Sequence, residues 1–558
     1  RRLAESGRDV LVLEKRPAIG GNVRCETDAE TGIEVHVYGS HIFHTHDRQV
    51  WDFIRKYVDF NGYQHKVLAN YRGKTYHLPL GLTLINKFFQ VELKPCEVKA
   101  FMAENPGKEV YLGSGWSEIG GTPMAQRKVA EIFDAVKTDA PIFMRSADGH
   151  SAMLNTAGMK YFGIDREAVK KYGPALVRVD DNGNPTGYIC ENALLNVFKK
   201  LQFSTEEYKK ALLMWQDYAF AHGLTAAGEA YADMGKENGI RAYSELDKEG
   251  KLKLRSFGMY CVMETTETPL EDVQRIAEFA QKYNGEHFKI NALKLFMDGV
   301  IEAHTGWMED EYLDDPGYFG SKRFCDREKL ALTIRAGFDK GLTSHIHSVG
   351  DAATRCALDA IEAVQLASGN FGMRCALAHL QQVRPADIKR FADLNCVAVV
   401  APLWTGSVQP YYGMECSYIG EKKASRSYPV KDFMDAGAVI AFHTDYPVSP
   451  SFDVPAQLYM ANMRQMPLSY ASLVGKDNCG PVTRRGADQA IDRMEALKAA
   501  TINIAWMNHE ENRLGTLETG KIANLTVFDT DFINCDVEAI PTAKLVATVV
   551  EGEEVYKA

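Results

Sequence analysis

The stretch GLTSHIHSVGD, Gly341–Asp351, sets two histidines one residue apart on a short apolar run behind a glycine stop. Residues i and i+2 of a strand share a face, so as a strand this run aims His345 and His347 the same way. Before it, REKLALTIRAGFDK (327–340) has the apolar spacing of an amphipathic helix; after it, DAATRCALDAIEAVQLA (351–367) has that spacing again. Strands alternating with helices imply a parallel sheet.

The unit recurs on both sides. APIFMRSADGH ends at His150, INALKLFMDG carries Lys294, MRCALAHLQ brings in His379 and GAVIAFHTDYP leads to Asp445. Several hundred residues of such units, from Asn105 to Glu511, predict an α/β fold, a (β/α)8 barrel of the TIM type. In that fold the strand C-termini converge on the active face. RLGTLETGKIANLTVFDTD (513–531) and KLVATVVEGEEVYKA (544–558) read as short alternating strands with glycine turns, a small β-subdomain over 512–558. RMEALKAATINIAWMN (493–508) before them reads as a last barrel-packing helix.

The first 104 residues have another character. Arg1–Ser6 reads as a helix end, DVLVLE (9–14) as a buried strand ending in Glu14, and Gly20–Gly21 follows. That order is the second half of a dinucleotide-binding unit, in which the acid takes a ribose hydroxyl. The first strand and its glycine-rich turn would precede Arg1, and a chain starting at Arg1 reads as a fragment. The join between the two characters falls near Phe101–Pro106.

Bulk properties narrow the class. The chain has 558 residues, 46% hydrophobic and 25% charged, which suits a soluble protein of two or three domains. The net charge of −10 and the lack of a basic block argue against nucleic acid. Apolar runs such as CVAVVAPLW (396–404) are too short to span a membrane. Eleven cysteines without C-x-x-C pairs argue against a disulfide framework and point to a reducing cytoplasm.

Two imidazoles, a lysine and an aspartate at one barrel mouth suit a divalent metal, zinc first, that activates water. An ammonium cannot ligate, but a lysine carbamylated by carbon dioxide can bridge metals. Taken singly, each residue has an ordinary reading: a satisfied core histidine, a solvated lysine, a turn at Asp298–Gly299. Their order along successive strands favours the metal.

Two resemblances sharpen this. VLVLEKRPAIGGN, HVYGSHIFHTHD and LPLGLTLINKFF resemble the N-terminal part of UDP-galactopyranose mutase, a flavoenzyme family. The resemblance implies a truncated FAD-binding fragment over 1–104, with Glu14, Gly20, Gly21, His41 and His44 as flavin-site residues. It also makes the His44-x-His46 pair something other than a metal pair. Without the phosphate-binding loop, FAD binding is not expected to survive.

INALKLFMDGVIEAHT, HIHSVGDAATRCALDAIE, RCALAHLQQVRPADIKRFADL and SYPVKDFMDAGAVIAFHTDYPVSP resemble the amidohydrolase superfamily. Within it they are most similar to the family-3 branch of YtcJ-like and N-substituted formamide deformylase-like enzymes. The resemblance implies hydrolysis of carbon–nitrogen bonds in a small-molecule substrate. Lys294, His347, His379 and Asp445 would be the metal ligands and Asp445 the catalytic acid–base group. His345 is a second choice, and His150 lies near the substrate. Three departures stand out: the family's H-x-H strand is missing, as is half of its β-sandwich, and Phe442–His443 replaces a small residue and glycine. A mutase fragment and a catalytically inactive fusion are the competing expectations.

Overall fold

The structure is a computed structural model. It describes residues 151–558 apart from 175, 199, 202, 232–236 and 450–451, with the shorter stretches 25–27, 34–36, 55–56, 67–71, 74–78, 111–116, 129–134 and 140–146. The chain divides into two compact units, Arg1–Lys108 and Glu109–Ala558. In the first unit the described residues form two antiparallel pairs, Cys25–Thr27 with Glu34–His36 and Val67–Tyr71 with Lys74–Leu78. Glu14, Gly20, Gly21, His41, His44 and His46 lie outside the described residues.

The centre of the second unit is a seven-stranded, wholly parallel sheet whose strands follow one another in chain order. They are β1 (Ala226–Glu229), β2 (Arg255–Cys261), β3 (Phe288–Phe296), β4 (Thr343–Ser348), β5 (Cys375–His379), β6 (Cys396–Val400) and β7 (Val439–Phe442). A helix lies in every crossover: α1 (Glu237–Lys248), α2 (Pro269–Tyr283), α3 (Arg327–Asp339), α4 (Asp351–Ser368), α5 (Pro385–Asp393) and α6 (Val430–Asp435). Among the described residues β1 and β7 do not pair with each other.

Alternation along the strands sorts the side chains. Leu293, Leu295, Leu377, Ala398, Val400, Ile440 and Phe442 join one buried cluster with Ile276, Leu330, Ile334, Leu358, Phe391 and Phe433 of the helices. Each of these side chains larger than alanine contributes about 1.5–3 kcal/mol by leaving water. The alternate residues Ala376, Ala378, Val397, Val399 and Ala441 form a separate cluster on the inner face. Ile504, Trp506 and Met507 of α7 (Ile502–Met507) pack against that inner cluster. The single outer helix expected over 493–508 is therefore two short helices, Arg493–Ala500 and α7, broken at Thr501. Ala496 and Ala499 of the first join the outer core, while the second packs against the inner-face cluster.

A second correction concerns the region before β1. It adds no described strand to the parallel sheet. Tyr111–Trp116, Ile142–Ser146, Ser151–Leu154, Pro185–Cys190 and Val177–Val179 form their own five-stranded mixed sheet, with a core of Phe143, Leu154, Phe162, Ile189 and Leu194. Ile142–Ser146 pairs antiparallel with Ser151–Leu154, so IFMRS belongs to this mixed sheet and is not a strand of the parallel sheet. The Ser146 hydroxyl closes the hairpin, donating to the Ser151 carbonyl and accepting its N–H, both at 3.0 Å. His150 itself lies outside the described residues.

The tail is an antiparallel sheet of Leu525–Phe528, Leu545–Val550 and Glu553–Lys557. Val550 packs with Ala219, Phe220 and Leu254, and the buried Thr548 hydroxyl donates to the Phe220 carbonyl at 2.7 Å. Among the described residues no helix is long and apolar enough to cross a membrane.

Candidate active site

Register decides what meets inside the sheet. Lys294 on β3 sits beside His345 on β4 and, on the other side, Cys261 on β2; one step up, Phe296 sits beside His347. On β5 the partners of the two histidines are Ala376 and Ala378, and farther along the upper step lie Val399 and Ala441. Large polar side chains thus face small apolar ones across the inner face.

His379 is the last residue of β5 and pairs with Ser348. Strict alternation would send it outward with Leu377. Its φ of +79°, followed by +52° at Leu380, breaks the alternation. Histidine enters this left-handed region more readily than most side chains. Its ring lies 4.4 Å from that of His347, centroid to centroid, 4.9 Å from His443 and 5.5 Å from Trp404. His443 arrives by ordinary alternation. Ala441 faces in, Phe442 out, and the His443 N–H continues the ladder to the Val400 carbonyl at 3.0 Å.

A buried shell orients His347. Its Nε2 lies 2.9 Å from the Gly299 carbonyl, which can only accept, so the proton is on Nε2 and Nδ1 is the basic nitrogen. Asp298 lies beside it, fully buried, with Oδ1 3.6 Å from the same Nε2. Its Oδ1 accepts the Val349 N–H at 3.0 Å, and its Oδ2 accepts those of Gly350 at 2.7 Å and Trp307 at 2.9 Å. Burial pushes this carboxyl up to about 7 against the pull of the three amides. Gly350 must be glycine, because a Cβ there would lie 1.9 Å from the Trp307 carbonyl oxygen. Asp298 was legible only as a turn; its spacing of four from Lys294 was the available signal.

Burial governs the charges. Lys294 is 3% exposed, its Nζ is 3.5 Å from His345 Nδ1, and desolvation lowers it to about 8 against the opposing charge of Asp445. Burial likewise holds His345 and His379 well below the usual histidine range and His443 at about 4, with Lys294 pushing each further down. All three imidazoles are therefore neutral near pH 7, the form that can donate a lone pair.

Arg323, which the sequence did not flag, forms the outer wall. It is paired with Glu264 at 3.1 Å and Glu191 at 3.4 Å, and its guanidinium lies 4.8 Å over the Phe296 ring. Asp445 follows His443 by two residues. It sits exposed in the turn after β7 with φ +54°, near enough for its charge to act on Lys294 and His443.

Among the described residues no group of three or more His, Cys, Asp or Glu side chains is arranged to hold an ion as it stands. The donors nevertheless suit one. His379 Nδ1 and His443 Nε2 are buried with no hydrogen-bond partner. Such atoms carry an unreturned desolvation cost of about 1–3 kcal/mol each unless something takes their lone pair.

Known proteins fall on both parts of the chain. The family described as "Amidohydrolase family" matches residues 90–556, and an NAD(P)-binding Rossmann-like domain matches residues 1–57. The chain is 26% identical over 466 residues to Protein LONG AFTER FAR-RED 3 of Arabidopsis thaliana, covering 80% of this chain and 73% of that protein. It is 26% identical over 432 residues to N-substituted formamide deformylase of Arthrobacter pascens, covering 75% and 74%. It is 49% identical over 127 residues to UDP-galactopyranose mutase of Mycoplasma pneumoniae, covering 22% of this chain and only 31% of the mutase. The fold matches that of an uncharacterized metal-dependent hydrolase from Pyrococcus horikoshii, with TM-score 0.59, 23% identity and coverage of 79% and 81%. The N-terminal likeness is thus to a minor part of a mutase, whereas the hydrolase likeness runs through the sheet and the site. On that match the chain is a hydrolase and belongs to the amidohydrolase family.

Proposed function

We propose that the second unit hydrolyses carbon–nitrogen bonds of small, amide-type, non-peptide substrates with the aid of a divalent metal, zinc first. The observation that carries this reading is the inner-face layer of Lys294, His347 and His379, where imidazoles crowd together and a buried nitrogen has no partner. The name of the Arthrobacter relative, a formamide deformylase, supports the bond class. The corresponding domains are residues 105–511 for the barrel, 512–558 for the β-subdomain and 1–104 for a flavin-binding remnant.

Lys294, His347 and His379 would hold the metal, with Asp445 at its edge. A bound divalent ion supplies Lewis acidity and makes water acidic enough to attack near neutral pH. The Gly299 carbonyl and Asp298 keep His347 in one tautomer and one orientation. Lys294, lowered to about 8, has a larger share of free amine than an exposed lysine. That amine can add to carbon dioxide, losing one proton to become a carbamate. Asp445 would take the proton of the attacking water and return it to the leaving nitrogen. Phe296 and Trp404 give the site apolar walls, and His150 would reach the substrate.

Elemental analysis and an absorption spectrum of one purified sample test this, followed by a panel of formamides and other amides. Expected are about one equivalent of divalent metal, no flavin band and release of amine. A metal-free protein inert toward the whole panel after zinc loading would refute the reading.

A further inference from the structure

We propose that His443 is a third imidazole ligand of this metal centre, working with His347 and His379. The inference rests on the metal-dependent reading above and goes beyond it, because the matching segments lead to an expectation of a small residue and glycine at Phe442–His443.

Position comes first. His443 is held in the ladder of β6 and β7 by its own N–H, and alternation turns its side chain to the inner face. Its ring meets that of His379 edge-on at 4.9 Å and 80°, as His379 meets His347 at 4.4 Å and 61°. Two imidazoles sharing one zinc through bonds near 2 Å have ring centres about 5 Å apart. The two ring pairs that share His379 already have about that spacing, although the nitrogens do not yet point at one point.

Chemistry comes second. Among the described residues, the two imidazole nitrogens that are buried without a partner are His379 Nδ1 and His443 Nε2, and they belong to touching rings. An ordinary core histidine satisfies its ring nitrogens with a carbonyl or hydroxyl, as His347 does with Gly299. The neighbouring Trp404 ring gives its N–H to Ser449 instead, at 2.9 Å. A cation accepting both lone pairs resolves both orphans at once.

Need comes third. Two histidines and a lysine are a thin donor set for a four-coordinate ion. His443 restores the count from just past the end of β7.

The test uses the full-length protein, stripped of metal and reloaded with zinc or cobalt(II). X-ray absorption at the metal edge counts imidazoles on the unaltered protein. Cobalt titration then compares it with His443→Gln and His379→Gln, each checked by circular dichroism. The proposal expects three imidazoles in the unaltered protein, two in His443→Gln, and at least about tenfold weaker cobalt binding in that variant. Two imidazoles in the unaltered protein, or His443→Gln binding cobalt within twofold of it, overturns the role of His443 and leaves the hydrolase reading standing. No metal binding by the unaltered protein overturns both. Should His443→Gln fail to fold, the imidazole count on the unaltered protein decides.

Discussion

Asp298→Asn is expected to loosen the start of α4 and the loop above β3 together. In the native site Oδ2 accepts two amides and Oδ1 a third, all within 3.0 Å and fully buried. An asparagine placed to keep the two stronger bonds turns its NH2 toward the Val349 N–H and the protonated Nε2 of His347. One buried donor then loses its acceptor, at about 1–3 kcal/mol. Asp298→Ala orphans all three amides and should cost about 4–5 kcal/mol, at the extreme for single substitutions. Peptide-resolved hydrogen exchange over 298–310 and 343–354 reads the local effect. Each 1.4 kcal/mol corresponds to tenfold faster exchange where opening is local. Urea unfolding reads the global effect. If Asp298→Ala exchanged and unfolded like the native protein, the three amides would not depend on this carboxylate and the account of how His347 is oriented would fail.

Other expectations follow from the same site. Lys294→Met should abolish hydrolysis yet raise stability by about 1–3 kcal/mol at neutral pH, because desolvation lowers the folded-state lysine toward about 8; a thermal melt that drops would contradict this. Acid should destabilise the protein from about pH 6.5 down to about 4, since the unfolded chain binds protons at His345, His379 and His443 that the folded chain excludes. Stability therefore rises with pH across that window, and metal-free His443→Gln should show a shallower slope in denaturant titrations. Arg323→Ala strands Glu191 and Glu264 and should cost about 3–5 kcal/mol, whereas an unchanged urea midpoint would mean the two carboxylates find water.

Much of the site was legible because strands leave a simple trace. The i, i+2 spacing of His345 and His347 survives into β4, and Lys294 joins them through register with β3. What escaped depended on backbone turns or long-range contacts. His379 reaches the other rings through a left-handed residue at a strand end, which no periodicity reports. Asp298 gathers amides from the ends of two crossovers, so its role exists only once β3 and β4 are adjacent. IFMRS reads as another barrel strand because it is apolar enough for either sheet, and its antiparallel pairing with Ser151–Leu154 exists only in the fold. The helix over 493–508 kept its amphipathic spacing across Thr501, where the chain breaks direction and sends Trp506 against the inner-face cluster.

The strands of the parallel sheet follow one another in chain order, and this has a consequence for inheritance. The layer of Lys294, His345, His347, His379 and His443, with Asp298 beside His347, is encoded within one uninterrupted run from β3 to just past β7. In a fold whose site residues came from scattered strands, a crossover between two genes would split the set. Here a genetic breakpoint can shift anywhere upstream of β3 and still transmit these side chains as a block. Libraries that shuffle the chain upstream of β3 against other donors would therefore sample new surroundings for a constant set of imidazoles.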